Sequence, residues 1–122
     1  MYKLTFCLRR KAGMSREEFQ RYWRETHAPL VAARAELLGI RRYVQVHTAD
    51  LDGLHAAFQA RNGGAPEPYD GVAELWFDDL DAIATDDPAR RQASAELLED
   101  ERRFIDLPSS PMWIAYEHPV VG

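Results

Sequence analysis

The chain is predicted to be an α+β domain built on an antiparallel sheet, and three observations point there. Period-two alternation of apolar and polar residues occurs four times, over residues 2–9, 40–48, 70–78 and 112–118. Two helical patterns with start and stop signals separate these stretches, in the order strand, helix, strand, strand, helix, strand. At 122 residues, 46% hydrophobic and 29% charged, the chain suits one domain, residues 1–122, with a core of its own.

Each element has a local cause. In residues 2–9, Tyr2, Leu4, Phe6 and Leu8 make one face, and Lys3, Thr5, Cys7 and Arg9 the other. Gly13 turns the chain, and Ser15-Arg16-Glu17-Glu18 is a capping box that opens a helix. Phe19, Tyr22, Trp23, Leu30, Val31, Leu37 and Leu38 follow the helical period. Pro29 removes an amide and crowds the carbonyl of Glu25, so a kink or a break with a restart is expected near residues 27–29. Gly39 is the natural stop. In residues 40–48 the alternation separates Ile40, Arg42, Val44 and Val46 from Arg41, Tyr43, Gln45 and His47. Residues 50–68 are a long loop or short-helix insertion, in which Leu51, Leu54, His55 and Phe58 carry the helical signal. Such a connection reads either as a lid or as a tolerated insertion. The third strand sets Ala73, Leu75 and Phe77 against Val72, Glu74 and Trp76. Helical segments are expected through Leu80, Ile83 and Ala84, and then from Ala89 to Phe104, with Asp86-Asp87-Pro88 as cap and first turn. Glu99 or Asp100 with Arg103 would be surface pairs.

Two split βαβ halves of this kind make a ferredoxin-like βαββαβ sheet with both helices on one face. The opposite face would then carry Cys7, Tyr43, Glu74 and Trp76 with no helix to cover it. Exposed aromatics on that scale are rare in monomers, so the expected solution is a homodimer, two sheets enclosing a barrel-like cavity.

The net charge of −5 argues against a nucleic-acid partner, since no basic cluster exceeds Arg9-Arg10-Lys11. One cysteine excludes an intrachain disulfide. No apolar run approaches about 18 residues and no signal-peptide core opens the chain, so no membrane partner is expected and the default location is cytoplasmic. The histidines His27, His47, His55 and His118 show no metal-ligand spacing. Neither a glycine-rich phosphate loop nor a Gly-x-Ser-x-Gly elbow is present, so no metal and no cofactor is expected.

Several stretches resemble the EthD family of dimeric α/β barrels. They are Tyr22-Trp23 with His27-Ala28-Pro29-Leu30, Gly39-Ile40-Arg41-Arg42-Tyr43, and Tyr69 through Phe77. Phe104-Ile105-Asp106-Leu107, Ser110-Pro111 and Glu117-His118 extend the likeness over nearly the whole chain. The resemblance implies a dimeric barrel and a choice of chemistries. Similar domains in aromatic polyketide pathways act as dehydratases or decarboxylases without a cofactor. A related methylmuconolactone isomerase uses a histidine that His27 matches, and a cysteine that Cys7 does not.

His27, four residues after Trp23 and two before Pro29, is the first candidate for general acid/base work. Its bland alternative is a side chain capping carbonyls freed by Pro29. Tyr43 and Glu74 are the other catalytic candidates: Tyr43 to hydrogen-bond a carbonyl or enolate, Glu74 to fix the His27 tautomer or act as a base. Trp23, Cys7, Gln45, His47 and Trp76 are the candidate substrate-binding residues, with Cys7 also readable as a small buried hydrophobe. The expected function is a cofactor-independent lyase or isomerase acting on a small hydrophobic or aromatic, polyketide-like or lactone substrate. The alternatives are a non-catalytic small-ligand-binding protein and a cofactor-free monooxygenase of the same superfamily.

Overall fold

A computed structural model describes all residues, 1–122. Strand β1 (Tyr2–Leu8) leads to helix α1 (Arg16–Tyr22), which passes through a π-helical turn (Trp23–His27) into α2 (Ala28–Leu38). Then come β2 (Ile40–His47), α3 (Asp52–Arg61), β3 (Gly71–Phe77), α4 (Pro88–Glu101), a 3-10 turn (Leu107–Ser109) and β4 (Met112–Ala115). The sheet order is β2-β3-β1-β4 and every pairing is antiparallel, as the βαββαβ order requires.

The caps are where the sequence put them. The Ser15 hydroxyl accepts from the Glu18 amide at 3.0 Å, and the Ser15 amide donates to the Glu18 carboxylate. Asp87 accepts from the Arg90 amide ahead of Pro88. Gly39 ends α2 at φ 71°, a conformation that a side chain resists. The core lies between the sheet and the helices: Phe6, Leu8, Phe19, Trp23, Ala73, Phe104 and Ile105 form one buried cluster.

Several expectations are corrected. Residues 80–84 form turns, with Leu80 and Ile83 exposed and only Ala82 buried, because the segment has a single side chain to bury. Helix α4 ends at Glu101, and β4 at Ala115, both short of the predicted limits. Residues 50–68, in contrast, contain the short helix offered as one of the two expectations, α3, which buries no residue.

The largest correction concerns β2. Ile40 pairs with Phe77 and Arg42 with Trp76, so Arg41 is an extra residue in a β-bulge. One inserted residue reverses the face of everything after it. Tyr43, Gln45 and His47 therefore join Ile40 on the helix side, opposite Leu75, Ala73 and Gly71. Alternation without the bulge had placed them on the open face.

Candidate active site

The broken helix supplies the central residue. Pro29 cannot donate, and the chain absorbs this by widening one turn: the Ala28 amide bonds the carbonyl of Trp23, five residues back. Trp23 and His27 at either end of that turn are both buried and face the sheet. Trp23 lies over Gly71, where there is no space for a Cβ, and stacks on His47 with ring centroids 4.5 Å apart.

His27 caps no carbonyl. Its Nδ1–H donates to Asp100 Oδ2 at 2.7 Å, and the Tyr22 hydroxyl donates to Asp100 Oδ1 at 2.7 Å. A carboxylate only accepts, so Asp100 fixes the proton on Nδ1 and leaves Nε2 with its lone pair free. Burial lowers the His27 pKa below the usual 6.5, against the opposing pull of Asp100. The ring is therefore neutral near pH 7.

Beneath the helices is a cavity of ≈ 300 Å³. Its floor comes from the sheet (Leu4, Phe6, Ala73, Leu75) and its roof from Trp23, Val31 and α4. The only interruptions of its apolar wall are His27, Ser94, Glu101 and the phenol of Tyr43. Burial, with Asp100 nearby, raises the Glu101 carboxyl to about 7.

Tyr43 is held by a short chain along β2. The Trp23 carbonyl can only accept, so Gln45 must turn its Nε2 toward it, at 2.9 Å. The same Nε2 donates to the Tyr43 oxygen at 2.8 Å, while Gln45 Oε1 accepts from His47 Nε2–H at 2.8 Å. The Tyr43 oxygen thus has its donor already, and its own proton is free for a ligand. Burial raises the Tyr43 pKa, so the phenol keeps that proton.

The predicted site residues thus divide between two faces. His27, Trp23 and Tyr43 line the cavity, and Gln45 and His47 support them from the same face. Cys7, Glu74 and Trp76 lie on the opposite face of the sheet. There Glu74 pairs with Lys3, the Trp76 indole donates to Glu117, and Arg42 lies over the Trp76 ring. Glu74 therefore does not set the His27 tautomer; Asp100 does. Burial raises the Cys7 thiol, which holds it in the unreactive form.

Tyr22, Asp100 and Glu101 were not foreseen as site residues. The run Glu99-Asp100-Glu101-Arg102-Arg103 looks like a solvated helix face, but neither expected pair with Arg103 forms: Glu99 pairs with Arg102, and Asp100 turns inward to His27. The available signal was spacing: Ala93, Leu97, Asp100 and Phe104 share one helix face, and a lone carboxylate there needs a buried partner. A larger cleft of ≈ 660 Å³ lies where β1 ends, but its arginines are spent on Asp70, Asp52 and the Glu67 and Pro68 carbonyls. No three His, Cys, Asp or Glu side chains converge to hold a metal ion. No helix is long and apolar enough to cross a membrane.

Among known proteins, the chain is 31% identical to the conidial pigment biosynthesis dehydratase EthD of Metarhizium robertsii, over 93% of this chain and 80% of that protein. The crystal structure of an ethyl tert-butyl ether D (EthD) family protein from Bacillus halodurans superposes with a TM-score of 0.61 at 19% identity, covering 97% of this chain and 99% of that one. A dimeric protein of ferredoxin-like fold from Bacteroides fragilis superposes with a TM-score of 0.57 at 14% identity, covering 96% and 95%. The model of the EthD domain matches residues 11–108. With most of its length matched to that domain, the chain belongs to the EthD family.

Proposed function

We propose that the protein is a cofactor-independent dehydratase that eliminates water from a small β-hydroxy carbonyl compound inside the helix-side cavity. The observation that carries this reading is the Asp100–His27 pair, which leaves a neutral imidazole with a free Nε2 at the wall of an apolar cavity. Nε2 takes the proton next to the carbonyl. The Tyr43 hydroxyl donates to the carbonyl oxygen, where negative charge gathers as the proton leaves. The apolar wall raises the value of that hydrogen bond by excluding water. The name of the Metarhizium relative supports the same reaction class. Cys7 lies outside the cavity, so the chemistry uses no thiol.

We also infer that two copies pair through the open sheet face. It presents Val46 and Trp113, 44% and 47% exposed, beside Val44, Val72 and Trp76. The Bacteroides fragilis neighbour is described as dimeric, which fits.

The test of the chemistry is turnover of 3-hydroxy-1-tetralone, a two-ring β-hydroxy ketone whose dehydration product, 1-naphthol, is fluorescent. Wild type should form it, and His27→Gln should lose about 10²- to 10⁴-fold in rate. Undiminished activity of His27→Gln, or tight binding of the ketone without turnover, would overturn the proposal, the second in favour of a ligand-binding role.

A further inference from the structure

We infer that Glu101 is the proton donor of this site, delivering its carboxyl proton to the hydroxyl that leaves. The inference rests on the His27-based elimination proposed above and adds the second half of the reaction.

Three observations single Glu101 out. First, it is the only carboxyl on the cavity wall. Second, its part-buried side chain has no hydrogen bond or ion pair, whereas the buried Asp70 and Asp100 and the part-buried Glu74 are all engaged. Asp70 holds Arg10 and Arg16, Asp100 holds His27 and Tyr22, and Glu74 holds Lys3. A carboxyl on the wall of an apolar cavity, with no partner in the protein, is free to meet a bound ligand. Third, its backbone is fixed. The Glu101 carbonyl accepts from the amides of Phe104 and Ile105, both buried, so the end of α4 that carries it is anchored beside the cavity.

The charge around it favours the acid form. Asp100 precedes it on α4, and the facing groups are the neutral His27 imidazole of the π-turn and the Tyr43 phenol of β2. No cation pairs with it, and burial with the Asp100 charge brings its carboxyl to about 7. Asp100 thus acts twice, aligning the base and holding the proton on the acid. Ser94, the remaining polar residue of the wall, is a neutral hydroxyl and too weak an acid for the task.

The step balances without a co-reactant. His27 Nε2 takes the proton from the carbon beside the carbonyl, and the electron pair of that bond becomes the new C=C bond. The C–O bond to the hydroxyl breaks, the oxygen takes the Glu101 proton, and water leaves. The site is left with an imidazolium and a carboxylate, and one proton passed from His27 to Glu101 through solvent restores it.

The experiment compares two leaving groups, using 3-hydroxy-1-tetralone and 3-acetoxy-1-tetralone, since acetate departs without being protonated. Glu101→Gln should lose about 10²-fold or more in 1-naphthol formation from the hydroxy probe, and stay within about threefold of wild type on the acetoxy probe. His27→Gln should lose activity on both. Rescue by acetate also shows that the Glu101→Gln protein is folded and that its base works. Equal activity of Glu101→Gln and wild type on the hydroxy probe overturns the assignment and leaves His27 standing. Equal loss on both probes also overturns it, since it marks Glu101 as structural. Failure of wild type to form 1-naphthol from either probe overturns the elimination and the role of Glu101 together.

Discussion

The two faces of the sheet are built from the same strands and do opposite work. The helix side buries Phe6, Leu8, Ala73 and Phe77 and holds His27, Tyr43 and Gln45 on short hydrogen bonds around a cavity. The open side carries Lys3, Glu74, Arg42 and Trp76 in ion pairs and cation–π contacts that neutralise one another. On the first face, burial lowers His27 and raises Glu101 and Tyr43 from their ordinary pKa. The difference follows from pairing: burial acts on His27 and Glu101 without a cation beside them, whereas Lys3 and Glu74 offset one another.

The sharpest break of this comparison uses neighbours in sequence. Leu8 and Cys7 lie one residue apart on opposite faces of β1, 1% and 8% exposed. Leu8→Ala should destabilise the fold by about 2–5 kcal/mol, since it opens a void in the central cluster. Cys7→Ala should cost about 1 kcal/mol and leave turnover intact. Chemical denaturation of both variants measures the contrast, and comparable losses would mean that the open face is as much a core as the other.

Next in size is Asp100→Asn, which keeps the shape of the side chain and removes its charge. It should lower turnover by about 10²-fold or more, because the amide no longer dictates which His27 nitrogen carries the proton. The pH profile is the discriminating readout. Activity falls on the acid side as His27 protonates and on the alkaline side as Glu101 ionises at about 7. The Asp100 charge raises both groups, so its removal moves both limbs to lower pH. The other groups facing the pair, Tyr43 from β2 and Tyr22 from α1, remain protonated throughout this range, burial having raised both. A profile that keeps its limbs while the rate falls would assign Asp100 a packing role alone.

A third variant tests the open face as an interface. Val46 is already 44% exposed, so Val46→Glu should leave the protomer stable. In a face-to-face pair it would bury unpaired charge on both sides of the axis, weakening association about tenfold or more. Light scattering across a dilution series reads this directly. A wild-type protein that is monomeric at every concentration would remove the inferred dimer.

The fold was legible in residues 1–122 because each boundary has a local cause: the capping box at Ser15, the stop at Gly39, the cap at Asp87 before Pro88. His27 was legible for the same reason, since a histidine beside a proline in a helical pattern is a local anomaly. What escaped was non-local. The bulge at Arg41 has no glycine to announce it, yet it decides which way Tyr43, Gln45 and His47 point. The partner of His27 lies 73 residues away, in an acidic and basic run that reads as surface. Sequence periodicity could point to His27, but only the packing of α4 against the π-turn could name what holds it.

The smallest expected effect falls on Glu74, the carboxylate first credited with holding His27. In the protomer its pair with Lys3 is partly exposed, with side chains 20% and 18% accessible, and such pairs contribute under about 1 kcal/mol. Glu74→Gln should therefore barely change the denaturation midpoint, and turnover should remain within about twofold of wild type, because the sheet separates it from the cavity. Its effect should appear instead in association. Covered by a second copy, the Lys3 ammonium would lose both solvent and its counter-ion, and an uncompensated buried charge is costly. Weakened self-association with unchanged turnover would set the two carboxylates apart: Asp100 serving the chemistry, Glu74 the contact. A loss of turnover in Glu74→Gln that matches Asp100→Asn would join the two faces into one site and undo the distinction.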